Sequence, residues 1–208
     1  MENELIKYNF YHWGPLLYKS NVTLERRNKI LSICDKATES KAPELAGHLK
    51  KELVLPEVKI FSILNPYFTS YLRVNKEQYN AGYIPRLTME SSWVNYMTDG
   101  EFNPPHNHGG ILSFVLYLKV PDELKKENKE YIGRSIGPGG IDFRIDTLRQ
   151  EADNYRSNHF HFPEEGDIFI FPASLEHWAF PFKSKVTRIS VSGNLHEAEK
   201  ERINGDKI

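Results

Sequence analysis

PPHNHGGILSFVLYLKV, residues 104–120, is the stretch on which the fold turns. Its second part, Ile111–Val120, is a short apolar run rich in branched and aromatic side chains, with Gly110 before it and Pro121 after it. Such a run between breakers reads as a buried strand. In its first part, Pro104 and Pro105 stiffen the chain, and Gly109 with Gly110 lets it turn sharply. Between them stand His106 and His108. In extended chain, positions i and i+2 point to the same side, so the two imidazoles can share one metal ion. A polar loop with two surface histidines is the commoner fate of a lone H-x-H, and the tripeptide alone is a weak signal.

The period of two continues on both sides. Leu87–Met97 reads as a strand, as do Ile141–Asp146, Asn158–Phe162, Asp167–Phe171 and Thr187–Leu195, with Gly, Pro, Asn and Asp in the gaps. Many short strands so punctuated predict a sandwich or barrel-like β core. Asp122–Gly140 is charged and then glycine-rich, and reads as a long surface loop that covers a pocket.

Before residue 85 the signals are helical. Thr23 is placed to cap a helix through LERRNKILSICDKA, with Leu24, Ile30, Leu31 and Cys34 on one stripe. Pro43 stands at a first helical position for PELAGHLKKEL. A third helical segment, Val58–Val74, contains Pro66, which predicts a kink or two short helices. This gives three regions: helical support over 1–85, a β core over 86–196 and a tail over 197–208.

The 208 residues suit one domain, and 39% hydrophobic with 26% charged residues is globular composition. With 27 basic and 28 acidic side chains the net charge is −1, so bulk charge implies no nucleic-acid partner. One cysteine, Cys34, excludes a disulfide framework within the chain and a cysteine-based zinc site. No apolar run approaches a membrane span, and the N-terminus does not read as a signal peptide. A cytoplasmic location is expected. The oligomeric state is left open.

His177 follows the strand pattern that ends in FIFPAS, where a neighbouring strand can deliver a third ligand. A strand-end imidazole packed on Trp178 is its alternative. Arg188 opens the strand RISVSGNL. Ile189, Val191 and Leu195 look core-facing, so Arg188, Ser190 and Ser192 share the other face. If that face lines a barrel interior, the guanidinium needs an anion, and a ligand carboxylate supplies one through a bidentate fork. If it faces solvent, the arginine is ordinary.

Taken in order, SSWVNY, PPHNH, LSFVLYL, GDIFIFP, LEH and RIS resemble the Fe(II)- and 2-oxoglutarate-dependent oxygenases. The resemblance covers about residues 86–196 and is nearest to the prolyl-hydroxylase-like branch, including small marine bacterial and phage-encoded members. It implies a double-stranded β-helix, a jelly-roll or cupin-like core, with N-terminal helices outside. It further implies Fe(II) on His106, His108 and His177, and 2-oxoglutarate with its far carboxylate on Arg188 beside Ser190. Tyr96, Tyr117 and Ser113 would line the same pocket, although an ordinary strand aromatic is an equal reading of Tyr96. O₂ is the oxidant, ascorbate the auxiliary reductant, and succinate and CO₂ the products of hydroxylating a C–H bond. The substrate would be a protein side chain of the prolyl kind or a small molecule.

The chain departs from that pattern at His108, where the family carries a carboxylate. Three neutral imidazoles still suit Fe(II). His108 could instead leave two protein ligands and water. Two other functions stay open from sequence: a cupin-like three-histidine metalloenzyme without 2-oxoglutarate, and a non-catalytic binding module on the same fold. A second H-x-H, His159 and His161, matches no ligand position of the family. Asp167 is read as shaping a turn, Trp93 and Trp178 as core or pocket wall, and Arg134 and Arg144 as solvated. Asn194 is given no site role.

Overall fold

A computed structural model describes residues 14–79, 83–145 and 158–198. Asp146 and residues 199–208 of the expected tail lie outside them. The elements run β1 Tyr18–Asn21, α1 Leu24–Cys34, β2 Glu52–Val54, α2 Glu57–Tyr79, β3 Leu87–Met97, β4 Asn103–His106 and β5 Leu112–Lys119. They continue as α3 Asp122–Lys129, β6 Ile141–Arg144, β7 Asn158–His161, β8 Asp167–Pro172, β9 Glu176–Ala179 and β10 Arg188–Glu197.

The strands form two antiparallel sheets. The larger has the order β1-β8-β5-β10-β3-β2 and the smaller β4-β9-β6-β7. Consecutive strands alternate between sheets through much of the core, as in a double-stranded β-helix. Each inner strand of the larger sheet buries both faces. On β3, Val94 joins the cluster under the helices and Met97 the cluster between the sheets. On β5, Leu116 and Leu118 take the first side, and Val115 and Tyr117 the second. Two-sided burial explains why β5 reads as a continuous apolar run rather than an alternation.

Helix α2 packs Ile60, Leu64, Phe68 and Tyr71 onto the outer face of that sheet. It continues through Pro66 as one helix, so of the two expected outcomes the split into two helices does not occur. The missing amide costs one backbone hydrogen bond, and the buried stripe outweighs it. Arg26 also donates to the Ile63 carbonyl at 2.6 Å, beside that turn. On α1, Ile30 and Cys34 are buried as expected, but Leu24 is 62% exposed.

Three other expectations are corrected. The helix expected from Pro43 is a single 3₁₀ turn, Ala42–Glu44, followed by β2. There the chain pairs instead: the Tyr96 amide donates to the Lys51 carbonyl and the Lys41 amide to the Glu52 carbonyl. The N-terminal region is therefore not only helical, since β1 and β2 form both edges of the larger sheet. Asp122–Gly140 is not all loop. It begins as α3, with Asp122 and Glu123 in the first turn, Lys126 and Lys129 in the last, and Leu124 fully buried. Those charges complement the helix dipole, and the buried leucine anchors the helix.

Candidate metal and cosubstrate site

His106 ends β4, His108 lies two residues beyond it, and His177 lies in β9. The pairing β4–β9 puts His106 directly opposite His177. One ligand nitrogen from each of the three histidines falls within 4.8 Å of the others. Ring centroids are 4.4 Å apart for His106 and His177, 4.9 Å for His106 and His108, and 5.2 Å for His108 and His177. The rings are oriented from behind. His106 Nδ1 lies 2.7 Å from the Pro104 carbonyl and His177 Nδ1 2.9 Å from the Leu175 carbonyl. An Nδ1–H bonded to a carbonyl leaves Nε2 as the free lone pair, which is the usual outer support of a metal-binding imidazole.

Burial depresses all three histidines. His177 falls to about 3 and His108 to about 4, each also through the neighbouring imidazoles, and His106 is lowered chiefly by burial. They are neutral at pH 7, the state a metal needs. A donor set of three imidazoles fits Fe(II), and equally Zn(II) or Ni(II), so the protein atoms do not choose the metal. Trp93 packs edge-on to His108 at 5.9 Å, and Phe171 packs against His177 at 4.8 Å. These aromatic walls fix the rings and limit water.

The cavity at these histidines continues past Ser192 and Ser190 to Arg188. On β10 those three side chains alternate onto the inner face, as the sequence pattern predicts. Arg188 is 3% exposed. One terminal nitrogen donates to the Gly139 carbonyl at 2.6 Å, another approaches Met97 Sδ at 2.8 Å, and Nε has no partner. Gly139 holds φ +73°, and a Cβ there would press on Leu124 at 2.8 Å, so a glycine is what lets this carbonyl turn towards the arginine. Among the described residues no carboxylate forms an ion pair with Arg188. Burial lowers its pKa, and Tyr117, whose ring lies 5.4 Å from the guanidinium carbon, opposes that shift. Burial holds the Tyr117 hydroxyl up at about 12, so it is a neutral donor.

Two expected pocket residues stand elsewhere. Tyr96 faces the helices: its hydroxyl reaches the Cys34 carbonyl at 3.4 Å, and Lys51 Nζ lies over its ring. The β3 residues lining the cavity are Trp93 and Asn95. Ser113 shares the inner face with Tyr117, but its register partner is Asn194, and it donates to Asn194 Oδ1 at 2.8 Å. Ser190 pairs with Tyr117 four rungs away, so Ser113 lies further from Arg188 than the cavity wall does. Asn95 was missed. Its Nδ2 reaches Ser190 Oγ at 3.4 Å and Ser192 Oγ at 3.3 Å. Counting by twos from Trp93, read as core or pocket wall, would have found it.

His159 and His161 do not join the metal cluster. His161 Nε2 lies 3.0 Å from Asp167 Oδ2, which also takes the Glu164 amide, and Lys19 pairs with Asp167 Oδ1. Among the described residues no helix is long and apolar enough to cross a membrane.

Solved structures with this fold include a prolyl-4-hydroxylase from Pseudomonas putida, at 12% identity over 88% of this chain and 93% of that one, TM-score 0.53. An oxidoreductase of the 2OG-Fe(II) oxygenase family from Burkholderia pseudomallei matches at 12% identity over 88% and 84%, TM-score 0.57. HygX from Streptomyces hygroscopicus, with nickel, 2-oxoglutarate and hygromycin B bound, matches at 11% over 91% and 90%, TM-score 0.54. At such identities the likeness speaks for the fold alone. No curated protein sequence matches the chain. The family model described as "Putative 2OG-Fe(II) oxygenase" matches residues 91–194, half of the chain. That segment contains the three histidines and Arg188, and the chain belongs to the 2OG-Fe(II) oxygenase family.

Proposed function

We propose that this oxygenase holds Fe(II) through His106, His108 and His177, and holds 2-oxoglutarate by its far carboxylate on Arg188. Tyr117 and Ser190 serve as hydroxyl donors beside that carboxylate. One observation carries the reading: a buried guanidinium with no anionic partner among the described residues stands at the far end of a cavity whose near end is three neutral imidazoles. An unpaired buried charge is costly, and a dicarboxylate spanning to the metal repays it. A cupin-like enzyme without 2-oxoglutarate would have no use for Arg188.

When bound, the metal supplies the activation of O₂ that couples decarboxylation of 2-oxoglutarate to oxidation of a C–H bond. The chain's own residues do the rest. Pro104 and Leu175 carbonyls hold His106 and His177 with Nε2 forward. Arg188 neutralises the carboxylate and sets its distance from the histidines. Trp93, Phe171 and Phe143 exclude water around His108 and His177.

The core performing this chemistry is residues 86–196 with the end of β10 at Glu197, and the chain before residue 86 braces it through α1, α2 and the edge strands β1 and β2. The substrate class is a protein side chain of the prolyl kind or a small molecule, both of which occur among structural neighbours: one is a prolyl-4-hydroxylase and one holds hygromycin B. A cytoplasmic setting suits a single reduced thiol, the buried Cys34. The test is succinate formation from 2-oxoglutarate with Fe(II), O₂ and ascorbate, beside anaerobic calorimetry with 2-oxoglutarate. Binding and slow uncoupled succinate release are expected without substrate. Failure of 2-oxoglutarate to bind the iron-loaded protein would overturn the reading.

A further inference from the structure

Glu52 is a buried carboxyl that the scheme above does not use. It lies on β2, directly opposite Asn95 of β3. Opposed residues of an antiparallel pair point to the same face, with Cβ atoms about 4.5–5.5 Å apart. That face is the inner one, where Asn95 lines the cavity. Glu52 is 1% exposed and Asn95 4%. Asn103 of β4 shares the corner, since a methyl placed on Gly47 would fall 2.2 Å from Asn103 Oδ1 and 3.1 Å from Glu52 Oε1.

The three groups share this corner as acceptors. Glu52 Oε2, Asn95 Oδ1 and Asn103 Oδ1 are all buried without a donor. Among the described residues no lysine or arginine forms an ion pair with Glu52. The other carboxyl at this corner, Glu101, is occupied by the Lys50 and Thr98 amides. A corner of acceptors lacks hydrogens, and an acid proton on Glu52 supplies one.

We propose that Glu52 is a positioning residue: as the neutral acid it donates to Asn95 Oδ1 and locks that amide with its N–H groups on Ser190 and Ser192. Each serine oxygen then accepts from Asn95 and keeps its own O–H free to donate into the cavity. With the amide reversed, Asn95 Oδ1 would draw the serine hydrogens away from the cavity. Ser190 and Ser192 stand between Arg188 and the histidines, so the lock governs donors along the bound 2-oxoglutarate. The inference rests on the cosubstrate assignment above.

The charge environment agrees. Burial, and then the nearby Glu101, push the Glu52 carboxyl up to about 7. The groups around it are Glu101 from the β3–β4 connection, Asn95 from β3 and Asn103 from β4. The segment before β2 brings Gly47, the Lys50 amide on Glu101, and His48 stacked on Phe102.

The test uses iron-loaded protein under anaerobic conditions, with 2-oxoglutarate titrated into wild type, Glu52→Gln and Glu52→Ala at about pH 6 and pH 8. Glu52→Ala is expected to bind about tenfold more weakly at the lower pH, and Glu52→Gln, whose amide N–H replaces the acid proton, to restore binding. Wild type should weaken by a similar factor as pH rises through about 7, and Glu52→Gln should lack that component. The metal-ligand histidines titrate alike in both, so their effect cancels. Infrared spectra of wild type at the lower pH should show a carboxylic-acid carbonyl band that Glu52→Gln lacks. Absence of that band, or one pH profile shared by wild type and Glu52→Gln, overturns the inference and leaves the cosubstrate assignment standing. A wild type that binds no 2-oxoglutarate at either pH overturns both.

Discussion

Two H-x-H tripeptides occupy this chain, and they do opposite things. His106 and His108 meet His177 across the β4–β9 pairing and form a cluster of free ring nitrogens. His159 and His161 sit on β7, their rings parallel at 6.5 Å, and His161 faces the carboxylate of Asp167. Spacing is the same in both. The partner brought by another strand differs, β9 in one case and β8 in the other, and that partner decides between a ligand set and a structural bond. Asp167 also pairs with Lys19 of β1, so the second tripeptide helps tie the larger sheet's edge to the smaller sheet.

The contrast is sharpest under metal. Replacing His106 or His177 by Ala should abolish stoichiometric iron and all turnover, as read by elemental analysis and succinate release. Iron retained in full by His106→Ala would erase the distinction between the tripeptides. Arg188→Ala should come next, keeping iron but weakening 2-oxoglutarate roughly thirtyfold or more in anaerobic calorimetry. Equal affinity in that variant would detach the guanidinium from the cosubstrate.

His161→Ala should leave iron and 2-oxoglutarate binding intact and cost about 1–3 kcal/mol of stability in urea unfolding, since it strips a partner from a buried carboxylate. Acid should reveal the same bond. Burial raises Asp167, but the Glu164 amide, His161 and Lys19 outweigh it, and the net shift is downward from 3.8. A depressed carboxyl contributes stability that is present above its unfolded pKa and lost as pH falls through the folded one. Wild type should therefore lose more stability than Asp167→Asn as pH drops below about 3.8. Parallel curves would remove Asp167 from the account. The smallest effect is expected for His108→Asp, which keeps three donors, restores a negative charge and should hold iron at least as well. Loss of iron there would show that imidazole geometry at this position is required.

Much of the site was legible because alternation tells which face a side chain takes. Arg188, Ser190 and Ser192 follow from the apolar partners Ile189, Val191 and Leu195. Tyr96 escaped the same logic because the end of β3 is buried on both faces, with Trp93 on one and Val94 on the other, so no polar face marks the phase there. Ser113 has the right face but the wrong height, fixed by its pairing with Asn194 next to the register shift at Leu195. Glu52 was hidden in a segment whose composition favours helix, and three residues of strand leave too short a pattern to read.

From the order of its residues alone, the chain declared its β core and the shared face of Arg188, Ser190 and Ser192, while the grouping of the three imidazoles came from the family resemblance. Local periodicity is enough for the core and that face, since the direction of a side chain depends on its immediate backbone. The tertiary structure alone decided which residues share a rung, His106 with His177 and Glu52 with Asn95, and which side chains meet between the sheets, His161 with Asp167. Register between distant strands is set by packing over the whole sheet, and no neighbour along the chain carries that information.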